Sequence, residues 1–506
     1  MERLNLEQAG RRLEALAGPE PRIVVSGNFA TPVSLVKALV QSREHCRVFQ
    51  LNSQYDFTAH PGVICETPFV GPGMRHDPML DYLLMRLSLV PRLFEATRPV
   101  DAVLIHTSLP RDGKVSLGIE VNIVPAAIAV AREIGGLVLA QMNPHMPYTF
   151  GDAEVPLDAI DGALEIDEVL PSPPEHVSDD AAQIIGERIA RFAADGSTLQ
   201  LGIGEIPAVA ATMMADRHGL RVWSEMISDS VMELAHAGSL EARAPVVASF
   251  LAGSPALYAW ANGNDRLRLV RTETVNDPAQ IAAHPRFLSV NAAMQVDLFA
   301  QANASFVGNR IHSGFGGQPD FVTGALHSAG GQAVIALHGW HDRSDTSTIV
   351  PVLTNPVTSF QHSAVVSEHG CADLFGRSEH AQAHLLIDYV ADPRARTQLA
   401  AAAARLGLRR DFDWCVPRPP DAGRRVTSAE RRRIWDRRRI RIEIDRRECG
   451  HGSRETPQQP PARHGGAHLQ APAEPQHRVA FRGVAARGRR HGARDQQGPH
   501  ARHDRK

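Results

Sequence analysis

Chemistry in this chain concentrates in the stretch Leu199–Leu234, LQLGIGEIPAVAATMMADRHGLRVWSEMISDSVMEL. A strand ending at Gly202 runs into a tight turn through Gly202 and Gly204, and a helix follows. Bare glycines let a ligand approach the backbone, and a helix N-terminus favours anionic groups. About 20 residues onward stands Glu225, the distance at which a dinucleotide fingerprint carries its ribose-binding acid. The third glycine position of that fingerprint is Pro207, which argues against it. A different reading puts Glu225 at the C-terminal end of the strand begun by LRVW, where open α/β sheets hold their ligands. The plainer alternative is a solvated acid opening the next helix with Ser224 as its N-cap, because Glu is mostly a surface residue.

Other reactive side chains carry less. His312, His327, His338 and His341 lack an HExxH spacing or clustered cysteines, so no metal is expected. Cys371, which follows Glu368-His369-Gly370, reads as a small buried core residue rather than a nucleophile. The run Gly314-Phe315-Gly316-Gly317 suits either an ordinary tight turn or a backbone that must approach a ligand.

Seven blocks, in order, give these residues a context. They are HTSLPRDGKVSLG (His106–Gly118), AQMNPHMPYTFGD (Ala140–Asp152), GIGEIP (Gly202–Pro207), SEMISD (Ser224–Asp229), NAAMQVDLFAQAN (Asn291–Asn303), SGFGGQPDF (Ser313–Phe321) and VVSEHGCADLFG (Val365–Gly376). Through them the chain, over roughly residues 20 to 408, resembles the acetyl-CoA hydrolase/transferase family. That family includes 4-hydroxybutyrate and succinyl-CoA:acetate CoA-transferases.

The resemblance implies that Glu225 is the covalent nucleophile, forming a glutamyl-CoA thioester. It implies a coenzyme A contact through Gly202, Ile203, Gly204, Glu205 and Ile206, with Met294 as a later contact. The oxyanion-stabilising backbone falls on Gly314, Gly316 and Gly317, foremost Gly317. Coenzyme A would be a substrate, with no cofactor or metal. Two departures bear on the substrate: Gln295 stands where the family usually has an acid, and Ser230 where glycine is more usual. Three functions follow as expectations: CoA transfer between a short acyl-CoA and a carboxylate, hydrolysis of acetyl-CoA at the same site, or a catalytically silent CoA-binding protein. A homodimer or higher homo-oligomer is expected on the same analogy.

The elements that must position these residues show in the apolar patterning. Arg22–Ser26, Val100–His106, Leu137–Gln141, Thr198–Leu201, Leu220–Trp223, Phe287–Val290, Ala333–Leu337, Thr348–Pro351 and Ala364–Ser367 read as strands. Helical patterns alternate with many of them, among them SLVKALVQSRE, VPAAIAVAREIGG, Ser178–Asp195 and Pro207–Asp216. Such alternation predicts an α/β fold with mainly parallel sheets. Two domains are expected, residues 1–175 and 176–408, parted near Ser172-Pro173-Pro174, and the resemblance implies that the CoA site lies in the cleft between them. After Leu408 the pattern stops. The remaining residues, 409–506, form a basic low-complexity tail that reads as disordered or as an out-of-frame translation.

Charge is divided accordingly. Arg424–Lys506 holds 22 Lys/Arg against 9 Asp/Glu, leaving 32 against 47 in the residues before it. An acidic body argues against nucleic acid as partner. Five scattered cysteines form no disulfide framework and suit a reducing cytoplasm, and no apolar run is long enough to span a membrane.

Overall fold

The computed structural model describes residues 1–174, 178–202, 204–357 and 361–410. Ile203 and nearly all of the basic tail lie outside the described residues. Within them the polypeptide builds two large twisted sheets with helices packed against them. The first has eight strands in the order Glu2–Arg3, Gly162–Glu165, Leu137–Met142, Ala102–Thr107, Arg22–Val25, Cys46–Phe49, Val63–Thr67 and Leu80–Tyr82. Every pairing in it is parallel. Its central strands are apolar on both faces, as in Ala102–Thr107, where all six residues are buried. Covering both faces with helices requires that composition.

The second sheet has nine strands, running from Gly370–Asp373 through Ala364–Ser367, Gln332–Ala336, Phe287–Ala292, Thr198–Leu201, Arg221–Trp223, Val246–Ala248 and Leu267–Leu269 to Phe150–Gly151. Only the Gly370–Asp373 edge pairs antiparallel. The opposite edge is supplied by the first half of the chain: Phe150 pairs with Arg268 and Gly151 with Leu269. A continuous apolar cluster joins Val24, Phe49 and Ile105 of the first sheet to Leu199, Val290 and Val366 of the second.

The mainly parallel α/β architecture expected from the patterning is what the chain adopts. Most predicted strands fall within one or two residues of their observed ends. The helix predicted from Pro207 begins two residues earlier, at Glu205, with Gly204 as N-cap at φ +109°. That angle belongs to glycine, so the turn fixes where the helix can start.

Both sheets have a topological switch point. In the first, successive strands run outward on either side of Arg22–Val25; in the second they do so between Thr198–Leu201 and Phe287–Ala292. At such points the loops leaving neighbouring strand ends part and open a crevice. Residues at or just after these strand ends, Asn28 and Asn52 on one side, Gly202 and Asn291 on the other, line one shared cavity.

Candidate active site

Glu225 follows the short strand Arg221–Trp223, as its reading as a strand-end residue requires. Its backbone is held on both sides. Ser224 N–H donates to the Val247 carbonyl at 3.0 Å, and the Glu225 carbonyl accepts from Ser249 and Phe250 N–H at 2.8 and 3.1 Å. The chain then re-enters sheet pairing at Met226–Ile227, against Phe250–Leu251. The next helix begins only at Asp229, with Ser228 at its N-cap. Glu225 is therefore not the exposed first turn of a helix capped by Ser224. Ser224 is buried instead, its hydroxyl turned to the Leu201 carbonyl at 3.3 Å.

The Glu225 carboxylate is half-buried and faces a cavity of about 220 Å3 between the two sheets. Asn276 Nδ2 donates to its Oε2 at 2.7 Å. The Gly317 N–H, where the helix Gln318–His327 begins, also stabilises its charge. Desolvation outweighs both donors and, with the nearby Asp320 carboxylate, pushes the Glu225 carboxyl up to about 7. Asp320 is itself buried and ion-paired with Arg86 at 3.3 Å, a contact that joins the helix after Gly317 to the segment following the edge strand Leu80–Tyr82 of the first sheet. Glu225 is thus a carboxylate held by two donors, in surroundings that disfavour its charged form.

The three glycines of Ser313–Phe321 divide the work. A Cβ on Gly317 would fall inside the contact shells of Glu225 Oε2 and Asn276 Nδ2. Gly314 lies so close to the Pro68 carbonyl that a side chain there would collide with it, and Gly316, at φ +56°, lies against the Phe69 ring. Gly317 therefore meets the Glu225 carboxylate, whereas Gly314 and Gly316 let the loop pack on the Pro68–Phe69 segment. Val70 N–H donates to the Ser313 carbonyl at 2.9 Å along the same seam.

Glu225, Gly202, Gly314, Gly316 and Gly317 all reach the cavity wall. Gly204, Glu205, Ile206 and Met294 do not. Glu205 opens the helix Glu205–Thr212 and accepts from the Asp179 N–H; its carboxylate, that of Asp179 and the His338 ring have ligand atoms within 4.8 Å of one another. Ile206 is a core residue. Met294 is half-buried and hydrogen-bonded through its backbone to Asn303. The two departures also find places. Gln295 pairs across a short ladder with Asn303, away from the cavity wall. Ser230 sits inside the helix Asp229–His236, where glycine freedom is not needed. Cys371 packs half-buried against the core, and burial pushes its thiol up to about 11, as expected of an inert cysteine.

Sequence reading missed several residues. Asn276 looks like any turn residue before a helix, since Asp277 caps the helix Pro278–Ala283. Asn28, just after the strand Arg22–Val25, sits in a loop whose residue types single out no role. Glu120 gave no signal, yet it is 1% exposed and bonded to Asn28 and Asn122 beside the cavity.

Known proteins place the chain. The family described as acetyl-CoA hydrolase/transferase C-terminal domain matches residues 253–403. The chain is similar to the 4-hydroxybutyrate coenzyme A transferase of Clostridium kluyveri, 32% identical over 408 residues, covering 75% of this chain and 92% of that protein. It is equally similar, at 32% over 410 residues, to the succinyl-CoA:acetate/propanoyl-CoA:succinate CoA transferase of Fasciola hepatica, covering 75% and 84%. Among solved structures, the 4-hydroxybutyrate CoA-transferase of Porphyromonas gingivalis superposes with a TM-score of 0.65 at 26% identity, over 79% of this chain and 97% of that one. With its two parallel sheets and that length of likeness, the chain belongs to the acetyl-CoA hydrolase/transferase family.

Proposed function

We propose that the protein moves coenzyme A between a short-chain acyl-CoA and a small carboxylate, with Glu225 as covalent nucleophile. The observation that carries this reading is the Glu225 carboxylate facing the inter-sheet cavity with Asn276 and the Gly317 N–H as its donors. Glu225 attacks the acyl-CoA carbonyl carbon, the C–S bond breaks and CoA thiolate leaves, giving an enzyme–acyl anhydride. The thiolate then attacks the Glu225 carbonyl carbon, releasing the first carboxylate and forming the glutamyl thioester. A second carboxylate attacks that thioester, and the expelled thiolate takes the new acyl group, returning Glu225 to its free form.

The first step runs uphill, because a carboxylate displaces a thiolate whose acid is weaker, by about 4 pK units for a free glutamate against cysteine and by less for Glu225, whose carboxyl is pushed up to about 7. Binding of the remote nucleotide end of CoA offsets it, for which the glycine turn from Gly202 to Ile206 and Met294 are the candidate contacts. The Gly317 N–H and the Asn276 amide are suited to the tetrahedral oxyanion, each worth about 3 kcal/mol by comparison with other oxyanion holes.

The free, scattered cysteines Cys46, Cys65 and Cys371 fit a cytoplasmic setting. No described helix is long and apolar enough to cross a membrane. A homodimer completes the reading and is checked by sedimentation. The chemistry is tested by incubating the protein with acyl-CoA, reducing with borohydride and mapping peptides by mass. Modification at Glu225 is expected; an unmodified Glu225, or full turnover in Glu225→Ala, would remove the covalent mechanism. CoA release that is independent of added acetate would move the assignment to hydrolysis at the same site.

A further inference from the structure

Behind Glu225 the two halves of the chain are stitched together by a short loop, residues 119–122, which leads into the helix Val124–Ile134 of the first half. Leu251 N–H donates to the Ile119 carbonyl at 2.9 Å and Val121 N–H to the Ser249 carbonyl at 3.0 Å. These bonds set Glu120 opposite Phe250 in an antiparallel bridge. Ser249 and Phe250 are the residues whose N–H groups hold the Glu225 carbonyl. The end of the same loop reaches the partner of the Glu225 side chain. The Asn122 carbonyl accepts from Thr272 N–H at 3.0 Å, where the helix Thr272–Val275 begins. Asn276 follows that turn directly, its N–H bonded to the Thr272 carbonyl at 2.9 Å, and gives its Nδ2 to Glu225. A shift of Asn122 is thus passed to Asn276 through one helical turn.

Asn122 is in turn held by the Glu120 side chain. Glu120 Oε1 accepts from Asn122 Nδ2 at 3.0 Å and Oε2 from Asn28 Nδ2 at 2.6 Å. A buried charge supported by amides alone is costly, and a neutral residue would fill the position at less cost. What a carboxylate adds is acceptance at both oxygens. It obliges Asn28 and Asn122 to turn their NH2 groups toward it together. Asn122 meanwhile keeps left-handed backbone at φ 29° and Asn28 at φ 48°. Non-glycine residues hold such angles only where their surroundings impose them, and they gather at functional sites. For Asn122 those surroundings are its backbone bonds to Ser249 and Thr272 and the Glu120 carboxylate.

Resting on the CoA-transfer reading, we infer that Glu120 is a positioning residue: by clamping Asn122 it sets where Asn276 meets the Glu225 carboxylate. Glu120 itself is not on the cavity wall, which Asn28 and Asn122 form in front of it. It and Glu225 repel each other as like charges. Asp320, the other acid felt by Glu225, stays paired with Arg86 and is untouched by the substitutions below.

The test combines substitutions in the full chain, assayed at pH 8, where the Glu120 and Glu225 carboxyls, both pushed up to about 7, are charged. Glu120→Gln keeps the shape but puts an NH2 group where an acceptor stood, so one asparagine must turn away. The expected result is about a tenfold fall in kcat with KM for acyl-CoA little changed, because a displaced donor stabilises the transition state less. In an Asn276→Ala background the same substitution is expected to cost nothing further, since the donor it positions is already gone. Asn122→Gly cuts the clamp while accepting the backbone angle, and it covers the case in which Glu120→Gln does not fold. It should show the same pattern. Losses that multiply in the double variants, a loss confined to KM, or full kcat in either single variant overturns the inference. A crystal structure of Asn122→Gly gives a reading that needs no turnover. The contact from Asn276 Nδ2 to Glu225 Oε2, 2.7 Å here, is expected to open beyond about 3.5 Å. An open contact in a protein without CoA transfer would sink the proposed function alone; a closed one would sink the positioning role.

Discussion

Glu225 shows how far one side chain can be read before its neighbours are known. Its place at a strand end was legible in LRVW followed by SEM, because a short largely apolar run after Gly219 reads as a strand. Asn276, which holds its carboxylate 51 positions later in the chain, was not. Nothing in the local pattern of TETVND says where an amide points, since that is decided by the packing of a distant loop. The pairing has a measurable consequence. A carboxyl pushed up to about 7 must lose its proton before it can attack, so kcat/KM for the acyl-CoA half-reaction is expected to rise with pH through about 7 and then level. Asn276→Ala removes a donor that favours the charged form. Its profile should shift to higher pH, and the plateau should fall by about 100-fold if the same amide serves the oxyanion. A pH–rate series on both proteins decides this; an unshifted profile would mean that Asn276 does not bear on the ionisation of Glu225.

At the level of elements, the loop Ser313–Phe321 is where sequence and structure part most instructively. Three glycines in four residues suited an ordinary tight turn or a close backbone approach, and did not say to what. Gly317 approaches the Glu225 carboxylate, whereas Gly314 and Gly316 approach Pro68 and Phe69 across the seam between the sheets. The distinction depends on which partner each Cβ would strike, and no spacing rule contains that. It predicts two different failures. Gly317→Ala drives a methyl into Glu225 and Asn276, and displacing a reactive group by an ångström costs about 100-fold in kcat, with thermal stability little altered. Gly314→Ala forces the loop off the Pro68 carbonyl, an overpacking worth about 1–3 kcal/mol of stability. Calorimetric melting and steady-state kinetics on the two variants separate the roles. Equal losses of stability in both would show that the loop acts as one unit. The strands and helices around it were easier to read, because burial on both sheet faces leaves long apolar runs. The crossing of Phe150–Gly151 into the second sheet was not, since two residues carry no periodicity.

Across the whole molecule, the site sets chemistry against stability. Glu120, Glu225 and Asp320 are acids crowded around one inter-sheet region, and burial pushes them up to about 7, 7 and 6. Each therefore binds its proton more tightly folded than unfolded. Such a group adds stability that is fully present below its unfolded pKa, near 4.3, and that is lost as pH rises through its folded value. Between those limits the folded state holds more protons than the unfolded chain, so this contribution falls with rising pH. Above about pH 7 the two glutamates stand charged in a poor solvent. Glu225→Gln keeps the shape and the Asn276 neighbour but removes one of those charges. The variant is expected to be inactive, yet to melt about 1–3 °C above wild type at pH 8, with the gap closing toward pH 5 as the wild-type carboxyl regains its proton. A melting series over that range checks it. If the variant melts lower at both ends, or the gap does not change with pH, then the Asn276 and Gly317 donors outweigh the burial of the charge and Glu225 is no reservoir of strain.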